Sequence, residues 1–191
     1  MNPQTVIAAN LCRASYDDTD PRFTKVNEQS FGVIVVGNVT YLVFRGTHNA
    51  AGWLHDFSAV PVLSKGGYLA HAGFVEATEE LWNPVCKSLD GRPGPWVITG
   101  HSLGGALAVL FGEQIKVPII TFGCPRVYSR LNGHFPDMVH SRVVNRGDIV
   151  TMVPEVLMWK HLVDPIEIGP ENEPGAEWHD INLYIANLTT S

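Results

Sequence analysis

Trp96-Val97-Ile98-Thr99-Gly100-His101-Ser102-Leu103-Gly104-Gly105-Ala106-Leu107-Ala108-Val109-Leu110-Phe111 carries the clearest structural signal in the chain. It opens as a short apolar run, which reads as a buried strand. It closes in an Ala/Leu-rich run of good helix propensity. Between the two stands Gly-x-Ser-x-Gly with a further Gly105, the nucleophile-elbow pattern in the strand-to-helix context that it requires. Ser102 must occupy a strained turn for its hydroxyl to project clear of the sheet. Gly100 and Gly104 lack the side chains that would collide where strand and helix pass closely. The helix N-terminus then aims backbone N–H groups, and the positive end of its dipole, at the place where an oxyanion would form. An ordinary glycine-rich βα turn is the bland alternative, and the flanking strand and helix favour the elbow over it. A phosphate loop would need a Lys-Ser/Thr ending, which is missing.

Outward from the elbow, Val117–Gly123 and Arg142–Asn145 read as core strands, the second running into Arg146-Gly147-Asp148-Ile149-Val150. His161–Val163 and Ile166–Ile168 read as a peripheral strand pair, and residues 177–184 as a helix start. Upstream, residues 4–16 carry a helical apolar stripe. Phe31–Val36 and Val39–Phe44 are β-rich runs joined by Gly37-Asn38, a hairpin signal. Residues 58–72 read as a loop or short lid. A helix opens at Gly73-Phe74 and runs to about Ser88, with Pro84 expected to kink or end it. Strands alternating with helices predict an α/β fold: a mostly parallel central sheet flanked by helices on both faces.

The 191 residues suit a single domain spanning 1–191, with 45% apolar and 17% charged residues and room for a core. A net charge of −6 argues against nucleic acid or an anionic membrane as the main partner. Cys12, Cys86 and Cys124 form no C-x-x-C pair and are expected to be free and buried. No basic leader and no apolar run of membrane-spanning length stand out, which predicts a soluble chain, cytoplasmic or secreted.

A serine hydroxyl needs a base, and the base needs an acid to hold its tautomer. The chain order Ser, Asp, His leaves Asp137, Asp148, Asp164 and Asp180 as acids. His134, His140, His161 and His179 remain as bases. Asp148 lies just past the carboxyl end of a core strand, where parallel sheets place their sites. Asp137 and Asp164 neighbour prolines and read as turn residues, while Asp180 suits a helix start. His179 follows Asp148 in a loop-to-helix transition and is preferred, with His161 as the alternative. His101 adjoins Ser102 in the elbow, so its side chain points elsewhere.

Gly100-His101-Ser102-Leu103-Gly104-Gly105, Phe44-Arg45-Gly46-Thr47, His71-Ala72-Gly73-Phe74 and Asn145-x-x-Asp148-x-Val150-x-x-x-Pro154, in this order, resemble the class 3 lipase family, the fungal-lipase-like α/β hydrolases. The resemblance implies Ser102 as nucleophile, Asp148 as orienting acid and His179 as general base. It also implies an oxyanion hole from the Leu103 N–H and the N–H and hydroxyl of Thr47. Arg45 and Asp56 would brace the oxyanion loop, with His71 as a neighbour. The first 40 residues carry no family signature, and the space between Thr47 and His71 leaves room only for a small lid.

The expected function is therefore serine carboxylic-ester hydrolysis on a small-molecule or lipid ester. The expectation includes no cofactor or metal, at most transient contact with a lipid surface, and a monomeric chain. Apolar residues Trp53, Phe57, Val60, Leu63 and Leu69 would receive an acyl chain, or merely pack a loop over the core. The competing classes are a non-catalytic lipid- or protein-binding module on the same scaffold and metal-assisted hydrolysis. The latter has no H-x-x-x-H pairing behind it.

Overall fold

The computed structural model describes residues 2–47 and 60–190. Asn2 caps helix α1 (Pro3–Ala14). Its side-chain oxygen accepts the Gln4 N–H at 3.0 Å, and Pro3 opens the first turn, where no amide donor is needed. Strands β1 (Phe23–Val26), β2 (Gln29–Val36) and β3 (Val39–Phe44) follow as an antiparallel meander. The Gly37-Asn38 turn joins β2 to β3 as the sequence predicts. Then come β4 (Pro61–Leu63), β5 (Leu69–His71), α2 (Ala72–Leu89), β6 (Trp96–His101), α3 (Leu103–Ile115), β7 (Ile119–Phe122), β8 (Tyr128–Ser129) and β9 (His140–Asn145). A 3-10 turn (Ile149–Met152), β10 (Trp159–Lys160), β11 (Pro165–Ile168), a second 3-10 turn (Ala176–His179) and α4 (Ile181–Thr190) complete the order.

Seven strands make the main sheet in the order β1-β2-β3-β6-β7-β9-β11, parallel from β3 through β11. Alternation along β3 covers both faces. Tyr41 and Val43 pack with Ala8, Cys12, Tyr184 and Leu188 of α1 and α4. Leu42 and Phe44 pack with Leu81, Val85, Leu107 and Phe111 of α2 and α3. Buried on both sides, β3, β6 and β7 are near-continuous apolar runs. This arrangement sets the strand ends of β6, β7 and β9 side by side, and the site is built there. Among the described residues no helix is long and apolar enough to cross a membrane.

Four expectations are corrected. Residues 61–71 are a hairpin rather than a loop, paired into a small antiparallel sheet of order β10-β8-β5-β4. Its strands have only two or three residues, too few for periodicity to register. Helix α2 does not end at Pro84 but continues to Leu89, with buried apolar residues on both sides of the proline. Residues 161–163 form no strand: β11 pairs with β9, and β10 with β8. Cys12 and Cys124 are free and buried, but Cys86 is exposed on α2.

Candidate active site

The turn from β6 into α3 holds Ser102 at φ +59°, ψ −129°, a conformation that L residues rarely adopt. Its strain costs on the order of 1–3 kcal/mol, so the surroundings must enforce it. They do so through close packing. A Cβ on Gly100 would run into the Gly104 backbone, and one on Gly104 into the Phe44 carbonyl. The Ser102 N–H is tied to the Phe122 carbonyl at 3.0 Å, fixing the elbow to β7. Leu103 then opens α3; the Gly105 N–H turns back to the Ser102 carbonyl at 2.9 Å, and the amides ahead of it precede the helical ladder.

Asp148 follows β9 and starts the 3-10 turn, where its Oδ1 accepts the Val150 N–H at 2.9 Å. Its Oδ2 accepts from His179 Nδ1 at 2.8 Å and from the Tyr184 hydroxyl at 2.6 Å. An ionised carboxylate only accepts, so the His179 proton sits on Nδ1 and its Nε2 carries the lone pair. That Nε2 is buried and has no hydrogen-bond partner among the described residues. Two bonds fix the loop bearing His179. Asn145 Nδ2 donates to the Trp178 carbonyl at 3.0 Å, and the Gly175 N–H to the Gly147 carbonyl at 2.9 Å. Gly123, at φ +57°, lies against the pair. A Cβ there would stand 2.8 Å from His179 Nδ1 and 2.9 Å from Asp148 Oδ2.

His101 lies under this pair. Its Nε2 is 2.8 Å from the His179 carbonyl, which can only accept, so Nε2 carries the proton. Its Nδ1 accepts the Tyr16 hydroxyl at 2.7 Å. The ring stacks on His179 with centroids 4.4 Å apart. Burial first, then the neighbouring His179, hold His101 well below its ordinary pKa, so it stays neutral. Tyr16 also accepts the Gly46 N–H, linking the turn after α1 to the loop that carries Thr47.

Thr47 Oγ1 is buried and without a hydrogen-bond partner among the described residues. Thr47 and Leu103 border the same cavity. Arg45 pairs with Asp18, whereas its expected partner Asp56 lies outside the described residues. The His71 ring stands 4.5 Å from Phe74 and 5.3 Å from Trp159. Trp53 and Phe57 also lie outside the described residues. Val60 and Leu63 are exposed and Leu69, paired with Leu63 across the hairpin, is half-buried, its backbone held by the Asn132 side chain.

Of the two candidate bases, only His179 meets Asp148. His161 Nε2 donates to the Thr151 carbonyl at 2.8 Å instead. Burial is the first cause that lowers His71 and His140 to about 4 and His161 to about 3. An unfolded chain takes up these protons near pH 6.5, while the folded one resists until much lower pH. Stability should therefore fall as pH drops from about 6.5 toward 4. Urea denaturation at several pH values checks this, and His161→Gln should flatten the dependence.

Two tyrosines escaped sequence reasoning. Neither Tyr16 nor Tyr184 is assigned a role from the sequence, although a buried tyrosine hydroxyl generally finds a partner. Burial and the Asp148 charge raise the Tyr184 phenol well above its ordinary value, so it remains a donor. Tyr184→Phe leaves the carboxylate one donor short, and the remaining bond holds the imidazolium proton harder. We expect kcat on a small ester to fall about tenfold and the acid limb of the pH–rate profile to move to higher pH. A purely structural role would lower the melting temperature without moving that limb.

Comparison with known proteins supplies an independent line. The sequence pattern of the family Lipase (class 3) matches residues 41–158, more than half of the chain. A Rhizopus niveus lipase is 34% identical over 134 residues, covering 60% of this chain and 34% of that protein. A Caenorhabditis elegans lipase is 32% identical over 188 residues, covering 83% of this chain and 53% of that protein. The chain thus spans about a third to a half of these curated relatives. Among solved structures, the Rhizomucor miehei lipase propeptide complex gives a TM-score of 0.67 at 26% identity, covering 86% of this chain and 66% of that one. Lipase II from Rhizopus niveus gives 0.66 at 26%, covering 85% and 76%. The architecture is that of the α/β hydrolases.

Proposed function

The chain belongs to the class 3 lipase family, and from that premise we propose that it is a serine carboxylic-ester hydrolase acting on an acyl ester of a lipid. The observation that carries the reading is the His179 Nδ1–Asp148 Oδ2 bond of 2.8 Å, in a chain whose elbow serine, Ser102, is held at φ +59°. Asp148 orients His179 and stabilises its imidazolium, and His179 Nε2 takes the Ser102 proton as Oγ attacks the ester carbonyl. The Leu103 N–H, with the N–H and hydroxyl of Thr47, stabilises the resulting oxyanion. One such donor is worth about 3–4 kcal/mol of barrier. His179 then protonates the leaving alcohol, and water, activated by the same base, hydrolyses the acyl-enzyme.

The same proposal takes residues 1–191 as one domain, acting as a monomer with transient contact with a lipid surface. Hydrolysis of p-nitrophenyl esters from acetate to palmitate tests it. We expect turnover, with an initial p-nitrophenol burst matching the enzyme concentration where deacylation is slow. The chain length with the highest kcat/KM separates esterase from lipase behaviour. No turnover of any ester would favour a non-catalytic lipid- or protein-binding module on this scaffold.

A further inference from the structure

His101 is a buried ring in contact with the base, and no step of the ester hydrolysis uses it. His179 lies over it at 4.4 Å, and Tyr16 and Tyr184 meet it edge-on, each at 5.8 Å. Its hydrogen bonds can run in one direction only. The Gly46 amide donates to the Tyr16 oxygen, since an N–H has no other role. The Tyr16 hydroxyl proton goes to His101 Nδ1 at 2.7 Å. The His179 carbonyl only accepts, so His101 Nε2 donates to it at 2.8 Å. One arrangement of protons satisfies every link, and it requires a neutral ring protonated on Nε2.

Both ends of this chain lie at groups that act on the ester. Gly46 precedes Thr47, and it is where the oxyanion loop meets the elbow. A Cβ on Gly46 would stand 2.3 Å from the Tyr16 hydroxyl, 2.6 Å from the His101 carbonyl and 2.9 Å from Ser102 Cβ. At the other end the accepting carbonyl belongs to His179 itself, whose Nδ1 donates to Asp148 at 2.8 Å. Burial, then the neighbouring His179, keep His101 neutral, so the ring adds no like charge when His179 becomes an imidazolium. Oxyanion donors and base must be right relative to one another as well as singly. A misplacement of about 1 Å can cost about a hundredfold in rate.

We propose that Tyr16 and His101 are positioning residues, which hold the base His179 and the oxyanion loop at Thr47 in register through one hydrogen-bond chain whose links act in series. Neither touches the ester: Tyr16 acts through Gly46, and His101 through the His179 backbone. The proposal rests on the serine ester hydrolase reading of the site. Links in series are strongly non-additive, because breaking a second one removes little that the first has not already released.

Two variants cut different links. Tyr16→Phe keeps the ring and removes the hydroxyl. His101→Asn sets an amide oxygen where Nδ1 stood, within reach of the Tyr16 hydroxyl, and is too short to reach the His179 carbonyl. Each should lower kcat on p-nitrophenyl butyrate about tenfold with KM unchanged, and the double variant should also lie about tenfold down rather than about a hundredfold. A merely structural role would lower the melting temperature and leave kcat, measured well below it, at the wild-type value. Wild-type kcat in Tyr16→Phe would overturn the proposal, and that variant decides alone if His101→Asn does not fold. Factors that multiply in the double variant would overturn it too. Should the wild type hydrolyse no ester, the hydrolase reading fails, and amide hydrogen exchange read by NMR then decides the chain by itself. His101→Asn leaves Gly46 and its acceptor unaltered, yet it should speed exchange of the Gly46 amide about tenfold. In a variant that folds, exchange at the wild-type rate would overturn the coupling.

Discussion

Ser102→Ala should reduce kcat on a p-nitrophenyl ester by roughly 10⁵–10⁶-fold, to the residual rate that oxyanion donors and substrate binding sustain alone. The substitution is chemically clean here. Alanine keeps the Cβ and meets the same φ of +59°, so the strain of the turn is unchanged. Ser102 also makes no side-chain capping bond to α3, so no helix cap is lost. Thermal unfolding should overlay that of the wild type, and the lost activity is then assignable to the missing Oγ. A variant that keeps more than a few per cent of the rate would mean that another group attacks the ester.

Asp148→Asn should lower kcat by about 10⁴-fold while leaving the backbone in place. The carboxylate accepts three donors: Val150 N–H at 2.9 Å, His179 Nδ1 at 2.8 Å and Tyr184 hydroxyl at 2.6 Å. An amide nitrogen turned toward His179 donates instead, which moves the ring proton to Nε2. Nε2 is the atom that must accept the Ser102 proton, so the ring would carry its proton on the wrong side. Wild-type rates in Asp148→Asn would remove Asp148 from the mechanism, and Tyr184 with it.

Much of this architecture is legible in the residue order, because strong local signals coincide with strong tertiary constraints. The apolar run before Gly100 and the Ala/Leu run after Gly105 are β6 and α3, and Gly37-Asn38 is the β2–β3 hairpin. Chain order alone placed Asp148 and His179 among the candidates, and the structure brings these two into a hydrogen bond. What stayed hidden is short or long-range. Strand β1 has four residues at the sheet edge with little buried surface, and the small sheet is made of strands of two or three residues. Local periodicity carries no trace of either. The Tyr16–His101 bond spans 85 positions and the Tyr184–Asp148 bond 36, and such contacts exist only once the sheet has ordered the chain. Both tyrosines lie outside residues 41–158, so the turn after α1 and helix α4 supply support from beyond the stretch that the family pattern matches.

Fluorophosphonate labelling followed by peptide mass mapping reads the nucleophile itself, since the probe bonds covalently to an activated serine. A Ser102 nucleophile gives stoichiometric adduct on the peptide carrying Ser102, none in Ser102→Ala, and sharply slower labelling in Asp148→Asn. An unlabelled wild type, or an adduct on another residue that persists in Ser102→Ala, would contradict it.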